Sequence, residues 1–403
     1  MSPTDRASLP NPSAVSTLCA QRRRSNLMVS CKMISLKGAL ISTIIFYGVG
    51  LISIKLYLKL VQHGFGVPNF NHFPGKCRVM PQMECGSEDV AVTKDGLAFI
   101  SNGLRIIPKC DHKLHKGGIY LFDYKNPTKN VTRLEIVSKT INWDVFDPHG
   151  LSLWENQQFG NVILFLIDHG SGEKVHLFEY KRENKWQLVH KETIIDALFV
   201  CINDLVATGP RSFYITNFIA FCHVSQAAVA AEFFLSLPTG NVAYYDGKKA
   251  TVVAKGLYMS NGINLSPDGH HLFVAAGSAH QALIFKRDID DNTIRLTSEV
   301  DLMTSPDNIE VDFETGDLYI GCHSNYRLPF SEYNGTFAAP SQVIQVKAHN
   351  KDWGNVSITE VLRSDGINFV RGSSVASFYK GGLLIGTVFH RLAYCENVKV
   401  HSV

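Results

Sequence analysis

The chain has 403 residues, a formal net charge of +3 and 19% charged residues. A charge balance this close to neutral does not indicate a nucleic-acid partner, and we expect none. The length is sufficient for one large β domain or two smaller ones, and an apolar fraction of 45% is ordinary for either arrangement.

The N-terminal part of the chain differs in composition from the rest. Residues 1–37 are rich in Ser, Pro and Arg without hydrophobic periodicity, which predicts a disordered cytosolic tail. An uncharged run then extends from Gly38 to Ile54, and with residues 55–59 it reaches the roughly 20 residues needed to span a bilayer. We therefore predict a transmembrane signal-anchor helix at 38–59, followed by a linker at 60–76.

Two alternatives to the anchor are a cleaved signal peptide and a buried soluble helix. The run begins far from Met1 and is followed by Gln62-His63-Gly64, a poor small-residue cleavage site, which argues against the signal peptide. Basic residues precede the span, at Arg22, Arg23, Arg24, Lys32 and Lys37. By the positive-inside rule we predict a single-pass type II protein of the endoplasmic reticulum or plasma membrane, with its C-terminal domain luminal or extracellular.

Six segments of the remaining chain share one pattern. A polar or acidic pair, which we call the head, leads a short strand, and a turn connects that strand to an apolar β run. The six heads, each with the strand that follows it, occupy residues 88–92, 149–153, 203–207, 261–265, 307–311 and 372–376. A repeat of about 45 to 65 residues is the period of a β-propeller blade. The sequence therefore predicts an all-β fold, a six-bladed β-propeller at 77–403.

The heads are rich in carboxylate and amide oxygens and contain no sulfur. Because the innermost strand of each blade runs along the central channel, the heads are expected to meet at one end of it. Their polar residues are Glu88, Asp89, Asn203, Asp204, Asn261, Asp307 and Asn308. Hard oxygen ligands suit Ca²⁺, whereas a softer metal would call for Cys or a His cluster. Such residues also cap turns at strand starts, but four of six repeats share them, which favours a calcium-binding tunnel.

The second repeat instead carries His149, and its next strand is followed by Asp168-His169. Two imidazoles beside a calcium site indicate a general base and a partner that carries its proton away. A single histidine is more often structural, so the pair is the informative feature. The sequence has no Gly-x-Ser-x-Gly elbow and no nucleotide loop. A hydrolase built on these residues would therefore use metal and water.

Seven cysteines follow the predicted anchor: Cys77, Cys85, Cys110, Cys201, Cys222, Cys322 and Cys395. In an oxidising compartment, an odd number leaves at least one thiol unpaired within the chain. Cys77 and Cys395 bracket the six repeats, where a disulfide would hold the first and last blades together. Two buried thiols are the alternative, and the pairing of Cys85, Cys110, Cys201 and Cys222 stays open.

Four Asn-x-Ser/Thr sequons follow the anchor. We predict glycosylation in loops at Asn130, Asn334 and Asn355. The fourth sequon, at Asn264, lies inside a repeat strand and is expected to stay unmodified.

Several longer motifs accompany the heads. They are Gly86-Ser87-Glu88-Asp89, Phe146-Asp147-Pro148-His149-Gly150, Asn203-Asp204, Asn261-Gly262-Ile263-Asn264-Leu265-Ser266-Pro267-Asp268-Gly269, Asp307-Asn308, Gly321-Cys322-His323 and Leu384-Ile385-Gly386-Thr387-Val388-Phe389-His390. On these motifs the chain resembles the paraoxonase family of calcium-dependent lactonases and arylesterases, from about Cys77 to Cys395. Its layout is closest to the membrane-anchored, nematode-type paraoxonase-like proteins.

The resemblance implies a propeller that holds two calcium ions in its central tunnel. To the catalytic ion it assigns the ligands Glu88, Asn203, Asn261, Asp307 and Asn308. To the structural ion it assigns Asp89, Asp204 and the carbonyl of Leu151. It makes His149 the base that activates water and His169 the partner that shuttles the proton. It also implies a disulfide between Cys77 and Cys395 and a free cysteine at Cys322.

The segment after Thr216-Asn217 departs from the family pattern. The family continues with Asp-His near the pocket, whereas here Phe218 and Ile219 follow, and residues 221–237 diverge as well. In the family this region shapes the rim of the active site and a membrane-facing surface. The departure therefore bears on substrate choice and on turnover.

Two functions stand as alternatives. The first is a membrane-anchored, calcium-dependent hydrolase of lactones or aryl esters, because the matched metal ligands and both histidines are present. The second is a non-catalytic, paraoxonase-like accessory or chaperone protein for degenerin-type sodium channels or other membrane proteins, in which calcium serves the fold alone. The sequence names neither the physiological substrate nor a protein partner.

Overall fold

The computed structural model describes residues 38–58, 60–61, 64, 66, 68, 70–80, 82–105, 116–156, 160–182, 186–324, 339–350, 352–388 and 390–400. The chain divides into two compact units, Met1–Leu60 and Val61–Val403. The predicted tail at 1–37, Cys110 and the sequon at Asn334 lie outside the described residues. The predicted domain boundaries stay a prediction.

The first unit contains helix α1 (Gly38–Leu58), which confirms the predicted N-terminal apolar helix. Its 21 residues are uncharged except for Lys55, and none of its hydrophobic window is buried. At about 1.5 Å per residue the helix is about 30 Å long, which matches the hydrocarbon thickness of a bilayer. Its length and composition are therefore those of a membrane-spanning helix.

The described residues of the second unit form 25 strands in six sheets, which confirms the six-bladed β-propeller. Strand β1 (Lys76–Met80) belongs to the last blade. Blade 1 follows with β2 (Val90–Val92), β3 (Leu97–Asn102), β4 (Gly118–Asp123) and β5 (Thr132–Arg133). Blade 2 contains β6 (Glu135–Val137), β7 (Pro148–Glu155), β8 (Val162–Asp168), β9 (Lys174–Lys181) and β10 (Gln187–Ile194). Blade 3 contains β11 (Ile202–Ala207), β12 (Phe213–Asn217), β13 (Gly240–Tyr245) and β14 (Ala250–Leu257).

The remaining blades follow the same order along the chain. Blade 4 contains β15 (Ser260–Leu265), β16 (His271–Ala276), β17 (Gln281–Arg287) and β18 (Ile294–Asp301). Blade 5 contains β19 (Ser305–Val311), β20 (Leu318–His323), β21 (Ser341–Ala348) and β22 (Val356–Ser364). Blade 6 is formed by β23 (Ser373–Tyr379), β24 (Gly382–Thr387), β25 (Leu392–Glu396) and β1. Neighbouring strands within each blade are antiparallel, except that β6 joins β10 in parallel.

The core of the propeller lies between the blades. Because side chains alternate across a strand, β3 packs Leu97 and Phe99 toward blade 2 and Ala98 and Ile100 toward blade 6. Six clusters of buried apolar side chains result, one at each junction of neighbouring blades. Strands buried on both faces are apolar at successive positions, which explains the runs that follow the heads.

Blade 6 joins the two ends of the propeller. Strand β1 pairs with β25 in an antiparallel register that places Cys77 opposite Cys395. A disulfide connects these two cysteines across 318 positions of the chain. In the chain-entropy model, closing a loop of that length stabilises the fold by about 6 kcal/mol.

Outside the sheets, the propeller carries helix α2 (Gln226–Leu235) and a 3₁₀ turn at Gly277–Ala279. The Ser225 hydroxyl caps the N-terminus of α2 by accepting from the amide of Ala228. Buried Glu232 holds the preceding loop, since its carboxylate accepts from the amides of Ala220 and Phe221. This helix therefore lies within the divergent region that follows Phe218 and Ile219.

Candidate metal centre and histidine pair

The heads of neighbouring blades are connected by hydrogen bonds at the centre of the propeller. The carboxylate of Asp89, in blade 1, accepts from the amide of Leu151 in blade 2 at 2.7 Å. Asp204, in blade 3, accepts in the same way from Ile263 in blade 4 at 2.8 Å. Each acid thus connects its own blade to the inner strand of the next one.

Glycine makes this close approach feasible. A Cβ at Gly150 would lie 2.5 Å from the carbonyl oxygen of Asn203 and 2.7 Å from the Cα of Asp204. A Cβ at Gly262 would lie 2.5 Å from the Cα of Asn308. Both glycines directly follow the first polar residue of a head. Their missing side chains let the heads of adjacent blades touch.

Four oxygens of the predicted catalytic-ion ligands are buried without a hydrogen-bond partner. They are Glu88 Oε2, Asn203 Oδ1, Asn261 Oδ1 and Asn308 Oδ1. Leaving a buried acceptor unpaired costs about 1–3 kcal/mol each. Four such acceptors on converging heads, all carboxylate or amide oxygens, fit a hard cation such as Ca²⁺. The donor set of this site therefore agrees with the ion that the resemblance implies.

The fifth predicted ligand, Asp307, is also buried, and its Oδ2 lies 2.7 Å from His323 Nε2. The acids of this cluster repel one another when ionised. Burial, and then the charge of Asp307, raise the pKa of Glu88 to about 8. Burial and Glu88 raise the pKa of Asp89 to about 7. A bound cation would relieve this repulsion and favour the ionised carboxylates.

The predicted structural-ion residues form a second acidic group, close to the first. Asp89 and Asp204 are both buried, and the amide of Leu151 donates to Asp89. Burial raises the pKa of Asp204 well above its usual range, and Asp89 is the next cause. Burial and Asp89 likewise raise the pKa of Glu310, an acid that the sequence reasoning did not assign.

The two predicted catalytic histidines are in direct contact. His149 Nδ1 lies 2.8 Å from His169 Nε2, and His149 Nε2 lies 3.5 Å from Glu88 Oε2. Burial lowers the pKa of His149, which favours its neutral form. A neutral imidazole beside the oxygen cluster has the properties of a general base.

Asp168 explains why the two rings meet. Its Oδ1 accepts from the amides of Asp147 and Gly170, at 2.9 and 2.8 Å, so it connects the segments that carry both histidines. Its Oδ2 lies 3.0 Å from His176 Nε2, which anchors the carboxylate within blade 2. The histidines are therefore held by the blade itself.

Sequence reasoning missed several residues of the site. Glu173 Oε2 lies 2.8 Å from His169 Nδ1, and Glu173 Oε1 lies 3.1 Å from His223 Nε2. The hydroxyl of Ser374 donates to the backbone carbonyl of Glu88 at 2.7 Å. The sixth blade therefore contacts the site through the residue that follows its head. His323 belongs to a quoted motif but was given no role.

The cysteines divide into bridged and free. A disulfide joins Cys201 to Cys222, on the loop that precedes α2. Cys85 is disulfide-bonded as well. Among the described cysteines, Cys322 is a buried free thiol.

The exposed sequons Asn130 and Asn355 are accessible to modification, whereas Asn264 is half-buried and donates to the carbonyl of Ile309.

Comparison with known proteins finds one matching family and several relatives within it. A family model described as Arylesterase matches residues 72–397. Serum paraoxonase/arylesterase 1 of Homo sapiens is 36% identical over 321 residues, covering 79% of this chain and 88% of that protein. Serum paraoxonase/arylesterase 2 of Gallus gallus is 36% identical over 323 residues, with the same shares covered. A regucalcin structure from Agrobacterium tumefaciens covers 82% of this chain and 96% of its own, at 13% identity and a TM-score of 0.48. That structural likeness is too distant to bear on function.

Proposed function

Since the chain belongs to the paraoxonase/arylesterase family, we propose that it is a membrane-anchored, calcium-dependent hydrolase of lactones or aryl esters. The observation that carries the proposal is the set of four buried oxygens without partners, one of which, Glu88 Oε2, lies 3.5 Å from His149 Nε2. Such a set has the composition of a calcium site and lies within reach of a neutral base. A cation and a base in one pocket are the minimum that ester hydrolysis by water requires.

The residues that would hold the catalytic ion are Glu88, Asn203, Asn261, Asp307 and Asn308. When bound there, calcium supplies a Lewis acid for the substrate carbonyl and charge stabilisation for the developing oxyanion. Asp89, Asp204 and the carbonyl of Leu151 would hold a second, structural ion. We thus propose two calcium ions, of which the second stabilises the contact between blades.

Two histidines of the chain transfer the proton that the attacking water loses. His149 Nε2 faces the oxygen cluster and removes a proton from the attacking water. His149 Nδ1 contacts His169, which receives the displaced proton 2.8 Å away. Burial lowers the pKa of His149, which favours the neutral ring that a base requires.

We also propose that helix α1 anchors the protein in the endoplasmic reticulum or plasma membrane, in type II orientation. The support is the length and apolar composition of α1 together with the basic residues that precede it in the sequence. A luminal or extracellular propeller agrees with its disulfides, which persist in oxidising compartments. Glycosylation at Asn130, Asn334 and Asn355 would follow from the same topology.

The test uses the full-length chain in detergent micelles, assayed with lactones and phenyl acetate, with calcium and with chelator. We expect turnover that chelator abolishes and that His149→Gln lowers by about 100-fold or more. His270→Gln, which alters an exposed histidine on a turn, is the matched control and should retain full activity. A calcium-loaded, folded protein with no turnover on any of these substrates would refute the enzyme and favour an accessory role at a membrane channel.

A further inference from the structure

A buried carboxylate, Glu173, lies behind the histidine pair and is not part of the proposed metal site. Its side chain is 9% exposed, and its two oxygens contact His169 Nδ1 and His223 Nε2. His223 Nε2 also lies 2.8 Å from the carbonyl oxygen of Val200. Because both neighbours of this nitrogen are acceptors, it carries a proton and donates to them. Glu173 Oε1 therefore accepts from His223.

The turn between β8 and β9 puts Glu173 in this position. Ser171 and Gly172 adopt left-handed backbone conformations, with φ of 62° and 105°. The amide of Gly172 donates to the carbonyl of His169 at 3.1 Å. This tight turn folds Glu173 back onto the ring four residues earlier. The disulfide between Cys201 and Cys222 fixes His223 on the other side of the carboxylate.

The contacts of Glu173 determine where the protons lie on both catalytic rings. An ionised carboxylate only accepts, so His169 Nδ1 must carry a proton and donate it to Glu173. In neutral His169 the other nitrogen, Nε2, is then an acceptor. Since His149 Nδ1 lies 2.8 Å from this acceptor, His149 must carry its proton on Nδ1. His149 Nε2 is left with a free lone pair, directed toward Glu88 and the oxygen cluster.

We propose that Glu173 is a positioning residue, which fixes the protons of His169 and His149 so that Nε2 of His149 is the basic nitrogen. The inference rests on the proposed hydrolytic function and deepens it. When His149 Nε2 takes a proton from water, the proton on Nδ1 passes to His169 Nε2. His169 then carries two protons and one positive charge, which the carboxylate of Glu173 stabilises. No proton is lost or gained in this sequence.

The first test is spectroscopic and does not require turnover. In full-length protein labelled with nitrogen-15 histidine, at mildly alkaline pH, we expect His169 and His149 both to be protonated on Nδ1. The variants His149→Gln and His169→Gln assign the two sets of resonances. Glu173→Ala should shift His169 to a mixture of tautomers. A wild-type His169 protonated on Nε2 would overturn the proposal, whatever the activity of the protein.

The second test separates positioning from folding and substrate binding. Glu173→Gln should lower kcat by about 10- to 100-fold and leave KM within about twofold, because the amide keeps the shape but not the charge. Calcium affinity and thermal stability should stay near those of the wild type. Glu179→Gln, an acid of β9 paired with Lys181 and Lys191, is the control and should leave kcat unchanged. Unchanged kcat in Glu173→Gln would overturn the proposal. Absence of turnover in the wild type would instead refute the proposed hydrolase activity. The nitrogen-15 measurement of the His169 and His149 tautomers would still test the role of Glu173.

Discussion

Asn308 donates from its side-chain nitrogen to Glu88 Oε1 at 2.8 Å and to the backbone carbonyl of Glu88 at 3.2 Å. These bonds connect the fifth blade to the first across 220 positions of the chain. Because the amide nitrogen is committed to Glu88, its oxygen points elsewhere, and it is one of the buried oxygens without a partner. One side chain thus orients a carboxylate and offers its own oxygen to the proposed ion.

Replacing Asn308 tests that double contribution. We expect Asn308→Ala to weaken calcium binding by about tenfold or more, since it removes one ligand and releases a second. Isothermal titration of calcium into chelator-treated protein measures the effect. Asn126→Ala, an exposed asparagine on a turn of blade 1, should bind calcium as the wild type does. Equal affinity in both variants would remove Asn308 from the ligand set.

The raised pKa values of the acids in the site predict how the stabilisation of the fold by calcium depends on pH. In the ion-free fold the pKa of Glu88 is raised to about 8 and that of Asp89 to about 7. A carboxyl whose folded pKa lies above its unfolded value destabilises the fold as pH rises through that interval. Calcium binds the ionised form, so binding releases protons and offsets the loss.

We therefore expect the rise in Tm caused by calcium to grow between about pH 5 and about pH 8. Thermal unfolding with calcium and with chelator, across a pH series, measures this growth. Calorimetry in buffers of different ionisation enthalpy should detect the released protons. A calcium-induced shift in Tm that is constant over the whole interval would contradict the prediction.

Gly150 tests the close contact between the second and third heads. We expect Gly150→Ala to destabilise the protein by about 3 kcal/mol, because a Cβ there would overlap the backbone at Asn203 and Asp204. Calcium affinity should fall as well, since both neighbours are proposed ligands. Gly354→Ala is the control, because its Cβ would meet no atom closer than 3.8 Å. Chemical denaturation of both variants measures the difference.

Two of the disulfides close loops of very different length, which predicts different contributions to stability. The Cys77–Cys395 bridge spans 318 positions and the Cys201–Cys222 bridge spans 21. In the chain-entropy model, removing the first costs about 2 kcal/mol more than removing the second. Double Cys→Ser variants at each bridge, compared by chemical denaturation, measure this difference. A larger loss at Cys201 and Cys222 would show that local contacts outweigh loop closure.

The sequence predicts the fold better than it predicts the surroundings of the site. The repeated heads indicate six blades because a blade's strand order follows from its local pattern. The contact of His149 with His169 is anticipated because both lie at strand ends of one blade. The contact of Glu173 with His169 is not anticipated, since the position of Glu173 depends on the left-handed turn at Ser171 and Gly172. Nor does the sequence reveal β6, a short strand that joins blade 2 in parallel from the loop after blade 1.

The pairing of β1 with β25 has a consequence for biosynthesis. Strand β1 leaves the ribosome early, and its partner follows only after some 318 further positions have been translated. Throughout that interval an unpaired strand edge is exposed, which is a hazard for aggregation. The contact between Glu88 and Asn308 likewise forms only after 220 further positions have been translated. A chain that terminates before Leu392 could not close its ring, and quality control would then meet an open propeller with an exposed strand.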